Sequence, residues 1–138
     1  MVSHVIICYM QHITYETLDR SEEIFRALAD RTRLRIIKLL LHVSDACVSE
    51  LMDALQLPQY SISRHLSILR HAGIVAERRE GIWKYYYLTE RTSPFTDLVM
   101  ESIRTGINDT ILENDMDLFI KRLALRVDGK CVVGNESF

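Results

Sequence analysis

The sequence predicts a mostly α-helical fold with one small β-hairpin, and three observations support this prediction. Apolar residues recur at intervals of three and four over most of the chain, which is typical of amphipathic helices. The interval falls to two between residues 74 and 88, which is typical of strands. The two prolines, Pro58 and Pro94, fall between periodic segments, where helix breakers are expected. The expected order is four helices, a hairpin and two more helices.

Polar capping residues predict where the first three helices begin. Asp19 or Ser21 suits the start of the first helix and Asp30 the start of the second, because their side-chain oxygens accept hydrogen bonds from free backbone N–H groups. Ser44 or Asp45 is expected to open the third helix. An apolar stripe follows each of these positions, so each helix has one face to bury.

The fourth helix, over residues 59–72, has two contrasting faces, and Gly73 is placed to end it. Ile62, Leu66 and Leu69 fall on one face and are expected in the core. The other face is short, polar and cationic, and consists of Gln59, Ser61, Ser63, Arg64, Ser67, Arg70 and His71.

A hairpin is predicted after this helix, with strands over residues 74–79 and 82–88 and a turn at Glu80-Gly81. Trp83, Tyr85 and Tyr87 share one face of the second strand, where packing against the helices is a better interpretation than base stacking. Two short helices followed by a two-stranded ribbon form a winged helix-turn-helix.

Two further helices are expected beyond the hairpin. Pro94 lies near the start of the fifth helix. The sixth is expected to start near Asn114, because Asp115 and Asp117 in its first turn would face the positive end of the helix dipole.

Composition excludes several classes of protein. The chain is 48% hydrophobic and 26% charged with a net charge of −2, as in ordinary folded domains and unlike proteins that bind nucleic acid by bulk charge. Its middle is nevertheless basic, with Arg31, Arg33, Arg35 and Lys38 in one short run that could meet phosphates. We expect no membrane span, no signal peptide and no enzyme, because the apolar runs are short and phosphate-loop and hydrolase motifs are absent.

Three segments resemble the ArsR/SmtB family of repressors, in the family's order and spacing. They are residues 27–36 (ALADRTRLRI), 59–73 (QYSISRHLSILRHAG) and 79–88 (REGIWKYYYL). The resemblance implies a cytoplasmic, autoregulatory repressor that acts as a homodimer on a two-half-site DNA operator and is released by an inducer, often a metal or metalloid ion. It divides the chain into an N-terminal arm (1–16), a DNA-binding and dimerisation domain (17–104) and a C-terminal helix and tail (105–138).

The resemblance also assigns residues to DNA and to the dimer. Gln59 suits a bidentate contact to adenine, and Arg64 a guanine or a phosphate. The full set of expected DNA contacts is Gln59, Tyr60, Ser61, Ser63, Arg64, His65, Ser67, Arg78, Arg79 and Lys84. The expected dimer interface is Phe25, Leu98, Val99, Ser102 and Ile103. One departure from the family is Pro58, which stands where a serine often caps the recognition helix and has no hydroxyl to do so.

A second departure concerns the inducer. The family's arsenic-type site is Cys-Val-Cys on the third helix, whereas this chain has Cys47-Val48-Ser49, and a hydroxyl is a poor ligand for a soft ion. Cys131 and Cys8 could complete a site for As(III) or another thiophilic ion with Cys47. The fifth helix lacks the histidines of the family's zinc site.

Other interpretations remain open at this stage. Oxidation of Cys47 or Cys131, or a non-metal inducer, would use the same DNA-binding surface. A winged helix that serves only as a protein-interaction module is a further alternative, which the basic middle of the chain disfavours.

Overall fold

A computed structural model of the chain describes residues 15–90 and 93–134. The helices are α1 (Leu18–Leu28), α2 (Arg31–His42), α3 (Val48–Leu55), α4 (Gln59–His71), α5 (Pro94–Gly106) and α6 (Thr110–Leu123). The strands are β1 (Ala46–Cys47), β2 (Val75–Glu80) and β3 (Trp83–Leu88), in one antiparallel sheet of order β1-β3-β2. The predicted winged helix-turn-helix is confirmed, with α3 and α4 as the helix-turn-helix and β2-β3 as the wing. No helix in these ranges is long and apolar enough to cross a membrane.

The first two helices begin close to their predicted caps. Asp30 caps α2 as expected, and its carboxylate accepts a hydrogen bond from the Arg33 N–H at 3.0 Å. The cap of α1 is Thr17 rather than Asp19 or Ser21, and its hydroxyl oxygen accepts from the Arg20 N–H at 3.1 Å.

The third helix begins later than predicted, because Ala46 and Cys47 form a short strand first. They pair with Tyr86 and Tyr85 at the edge of the wing, and Cys47 becomes the N-cap of α3. The Asp45 carboxylate accepts instead from Arg78 at 2.7 Å and from Arg126 at 3.1 Å. A two-residue strand shows no alternation of its own, so the sequence pattern could not reveal it.

The core lies where the helical periodicity places it. Ile62, Leu66 and Leu69 on the inner face of α4 are fully buried, together with Ile36 and Ile37 of α2. Gly73 adopts a positive φ of 73°, which residues with a side chain rarely adopt, and ends α4 as predicted.

The hairpin turn is shifted by one residue from its predicted position. Glu80 pairs with Trp83, so the two turn residues are Gly81 and Ile82. Gly81 has a φ of 59°. A two-residue turn with glycine in its first position matches the twist of the strands, and this preference fixes the register.

The last helix begins at Thr110, four residues before Asn114. Asp109 caps it, because its carboxylate accepts from the N–H groups of Ile111 at 2.9 Å and Leu112 at 3.3 Å. The helix packs mainly on α3 and also on α2. It therefore lies against α3 and α2, and the segment that follows it reaches Tyr85 of the wing.

The basic run of α2 is largely used inside the protein. Arg35 donates to both oxygens of the buried Asp115 at 2.7 and 2.8 Å, which ties α2 to α6. The Lys38 ammonium donates to the carbonyls of Ile103 and Arg104 at the end of α5. The expectation that this run faces phosphates is therefore wrong for Arg35 and Lys38, because their charges are satisfied by buried partners and a helix terminus.

Candidate DNA interface and thiol pair

The outer face of α4 presents the predicted DNA contacts to solvent at its N-terminal end. Gln59, Tyr60 and Arg64 are exposed, with Tyr60 at 78%. Ser63 is half-buried on the side that faces the wing, as are Ser61 and Ser67 elsewhere on the helix. α4 begins without a side-chain cap, because its N-cap is Pro58. Its first N–H groups are therefore not satisfied by a capping side chain.

A cleft of about 310 Å³ separates the recognition helix from the wing. Gln59 and Ser63 line it on one side, and Arg79 and Lys84 of the wing line the other. Cys47 also lines the cleft, so one thiol-bearing residue lies between the two proposed DNA-contacting elements. The Lys84 ammonium lies 3.8 Å from Glu77, a long contact near the surface that leaves the cation available to a phosphate.

Two residues predicted to contact DNA are engaged elsewhere. His65 is buried, and its Nδ1 accepts from Arg33 at 3.2 Å and lies 3.7 Å from the Asp30 carboxylate. Burial lowers the pKa of His65, the Asp30 carboxylate opposes this shift, and the Arg33 guanidinium adds to it. Arg78 is held by Asp45 and stacks 4.8 Å from the centre of the Tyr85 ring. His65 thus joins α4 to the start of α2, and Arg78 braces the root of the wing.

The structure brings Cys47 and Cys131 together, although 84 residues separate them in the sequence. Their sulfur atoms are in bonding contact, and both residues are buried. The Cys131 N–H donates to the Tyr85 hydroxyl at 2.9 Å, so the wing helps to hold the C-terminal segment. Cys8, the third thiol considered from the sequence, lies outside the described residues.

A buried carboxylate adjoins the thiols. Glu50 has no exposed surface and lies close enough to Cys47 and Cys131 to share an ion with them. It already accepts from the Cys47 N–H at 3.0 Å and from two nitrogens of Arg126 at 2.7 and 2.8 Å. These bonds occupy the carboxylate, so the donors that remain for a soft ion are the two sulfurs.

Ser49 and Arg122 connect the thiols to α6, and neither role is predicted from the sequence. The Ser49 hydroxyl lies 3.1 Å from the Cys47 sulfur and 3.9 Å from the Cys131 sulfur, and it accepts from Arg122 at 3.2 Å. A signal for Arg122 was present: Asp115 and Arg122 are seven residues apart, which places both charges on the face of α6 that also carries the buried Phe119.

Comparison with known proteins identifies the family. The family model for bacterial regulatory proteins of the arsR family matches residues 30–77. A transcriptional regulator of Methanocaldococcus jannaschii, MJ1325, is 47% identical over 75 residues, which cover 54% of this chain and 84% of that protein. The repressor SmtB of Mycobacterium tuberculosis is 38% identical over 96 residues, which cover 70% of this chain and 69% of SmtB. The chain belongs to the ArsR/SmtB family.

One further relative of this ArsR/SmtB regulator and one solved structure are also similar to the chain. The arsenic resistance regulator ArsR1 of Pseudomonas putida is 42% identical over 80 residues, 58% of this chain and 62% of that protein. Among solved structures, reduced HlyU from Vibrio cholerae has a TM-score of 0.58 at 28% identity, covering 66% of this chain and 92% of HlyU. The protein is thus a transcriptional repressor of this family, with the winged helix-turn-helix that HlyU also has.

The residues expected at the dimer interface of this ArsR/SmtB regulator lie mostly on an exposed apolar surface. Leu98 is 72% exposed and Phe25 is 54% exposed. The rings of Phe25 and Phe95 pack edge to face, with their centres 5.4 Å apart. Val99 is half-buried and Ser102 is exposed. Ile103 differs from the others, because it lies in the core between α5 and α2.

Proposed function

We propose that this ArsR/SmtB regulator is an autoregulatory repressor, active as a homodimer in the cytosol, that a soft metal or metalloid such as As(III) releases from its operator. The observation that carries the proposal is the position of Cys47. It lines the cleft between the recognition helix and the wing, and its sulfur meets that of Cys131. A ligand of the two thiols therefore acts at the wall of the DNA-binding cleft.

The proposed DNA surface is the exposed end of α4 together with the wing. Gln59 and Arg64 are assigned to base edges, because amide and guanidinium groups make bidentate contacts in the major groove. Tyr60, Ser61, Ser63 and Ser67 are assigned to flanking contacts, and Arg79 and Lys84 to phosphates. His65 and Arg78 are assigned to positioning α4 and the wing, since Arg33 donates to His65 and Arg78 donates to Asp45.

The exposed apolar surface of α1 and α5 supports the homodimer. Contiguous apolar side chains such as Phe25 and Leu98 are rarely left in water by a stable monomer. A twofold pair would bury them and place two α4 helices on successive major grooves of a symmetric operator.

The donors fit a thiophilic ion better than a hard one. Two sulfurs lie together, and thiolate is the ligand that soft ions prefer. A third thiolate for trigonal As(III) is assigned to Cys8.

Thiol oxidation is the second candidate, favoured by the contact between the two sulfurs. An oxidant such as peroxide would link Cys47 to Cys131 without any ion, and would act on the same wall of the cleft. The two candidates differ in their reagent: arsenite releases DNA from a metalloid sensor in the presence of a reductant, whereas peroxide releases it from an oxidation sensor.

The test is fluorescence anisotropy of the reduced protein on the DNA upstream of its own gene, at two salt concentrations, with and without arsenite. We expect salt-sensitive binding that arsenite abolishes, and no response in Cys47→Ser. In the Cys131→Ser background, Ser49→Cys rebuilds a thiol pair on α3 and should restore the response. Binding that responds to peroxide alone would assign the second candidate, and binding that neither reagent affects would refute both.

A further inference from the structure

One side chain joins the three segments that meet at the thiol pair. Arg122 of α6 is 3% exposed. Its Nε donates to Asp53 of α3 at 2.7 Å, and its Nη2 donates to the Ser49 hydroxyl at 3.2 Å. Nη2 also donates to the carbonyl of Val133 in the C-terminal segment. A single guanidinium thus contacts both chain segments that carry a cysteine.

The two residues that Arg122 contacts near the cysteines lie at the same sequence distance from their cysteines. Ser49 follows Cys47 by two residues, and Val133 follows Cys131 by two residues. Fixing these two points against one rigid, planar group sets the distance between the two thiol-bearing segments. The Tyr85 hydroxyl supports Cys131 from the opposite side through the Cys131 N–H.

An arginine suits this position for a geometric reason. Its fork presents several N–H donors in one plane and can bind a carboxylate, a hydroxyl and a carbonyl at the same time. A lysine retains the charge but places it at a single point, so it cannot span Asp53, Ser49 and Val133 together. The Asp53 carboxylate pairs with the Arg122 guanidinium and fixes its orientation.

We propose that Arg122 is the positioning residue of the sensor: it places the C-terminal segment so that Cys131 meets Cys47. This inference rests on the proposed sensing role of the thiols. The role of Arg122 is to raise the effective concentration of the Cys131 thiol at the Cys47 thiol, and this quantity is measured without DNA.

The test uses the full-length chain with Cys8→Ser, so that Cys47 and Cys131 are the remaining cysteines. The protein is equilibrated with mixtures of glutathione and glutathione disulfide. Two protein thiols and one glutathione disulfide give one protein disulfide and two glutathiones, so the equilibrium constant reports the effective concentration of the thiols. The linked fraction is read by mass spectrometry after acid quenching.

We expect Arg122→Lys to lower this equilibrium constant about tenfold or more, as for the loss of a charge-assisted hydrogen bond in a buried site. The matched control is Arg35→Lys, which loosens the same helix at the buried Asp115. Arg35 reaches α3 only at its far end, through the Leu55 carbonyl at 3.1 Å, and contacts neither Ser49 nor Val133. We expect Arg35→Lys to stay within about twofold of the parent. Asp53→Asn, which removes the anchor of the fork, should give a loss between those of the two lysine variants.

Circular dichroism and thermal melts first establish that each variant is folded. The deciding variant is Arg122→Lys, or Asp53→Asn if Arg122→Lys does not fold. An unchanged equilibrium constant in the deciding variant would overturn the proposal, as would equal losses in that variant and Arg35→Lys. Failure of DNA binding in the anisotropy assay would refute the proposed function and leave this result intact.

Discussion

Replacing Arg126 by methionine tests how strongly the segment after α6 is held to Glu50 and Asp45. Glu50 has no exposed surface and accepts three hydrogen bonds, two of them from Arg126 and one from the Cys47 N–H. Arg126→Met removes two charge-assisted bonds from this carboxylate and also the contact to Asp45 at 3.1 Å. The variant therefore leaves a buried negative charge with one neutral donor.

The cost follows from these contacts. Hydrogen bonds to charged groups contribute about 1.5–3 kcal/mol each, and breaking a buried ion pair from one side costs about 3–5 kcal/mol. We therefore expect Arg126→Met to lower the free energy of unfolding by about 4 kcal/mol, a large part of the roughly 5–15 kcal/mol typical of a domain. Adding Glu50→Gln to this variant should recover part of the loss, because a neutral amide is less costly to bury.

The assay is equilibrium unfolding in urea at pH 7, with Arg26→Met as the matched control. Arg26 pairs with Glu22 on the surface of α1, where both side chains are more than half exposed. Such pairs contribute less than about 1 kcal/mol. A loss in Arg126→Met no larger than that in Arg26→Met would refute the reasoning, because it would mean that Glu50 finds solvent or another partner at little cost.

Three further predictions follow from the described contacts. Arg79→Ala should reduce the magnitude of the slope of log affinity for DNA against log salt by about 1.8, or about 0.9 for each of the two wings of the dimer. Arg78→Ala, whose charge is already paired with Asp45, should leave that slope nearly unchanged, and equal changes would contradict the assignment of the two arginines. Because the pKa of His65 is lowered in the folded protein, the unfolded chain binds a proton more readily, and stability should fall as the pH drops from about 6.5. Urea unfolding of His65→Gln at pH 7.5 and 5.5 should show a smaller fall than the parent protein, and an equal fall would assign the effect to other groups. Leu98→Asp should give monomers in analytical ultracentrifugation, and a variant that still dimerises would place the interface elsewhere.

Elements with a strong local pattern could be predicted from the sequence. α4 shows this clearly: its apolar residues repeat with the helical period, Gly73 ends it, and Ile62, Leu66 and Leu69 are buried as expected. The wing was also predictable, apart from the register that Gly81 fixes in the turn.

Features that depend on distant partners could not be predicted in this way. The basic run of residues 31–38 predicts that Arg35 could meet a phosphate, because its partner, Asp115, lies 80 residues away in the sequence. The meeting of Cys47 with Cys131 depends on the path of α6 and on the contacts of Arg122, neither of which has a local signature. The sequence could identify the two thiols as candidates for a sensor, but only the packing of α6 brings them together.

The position of Cys47 in the cleft has a kinetic consequence for the proposed repressor. DNA held between the recognition helix and the wing would cover the cleft that Cys47 lines, and would block a reagent that approaches the thiol from that side. An inducer would then capture the protein after it leaves the operator. At saturating inducer, the rate of derepression would equal the spontaneous off-rate of the repressor from DNA, and a tighter operator would respond more slowly to the same dose.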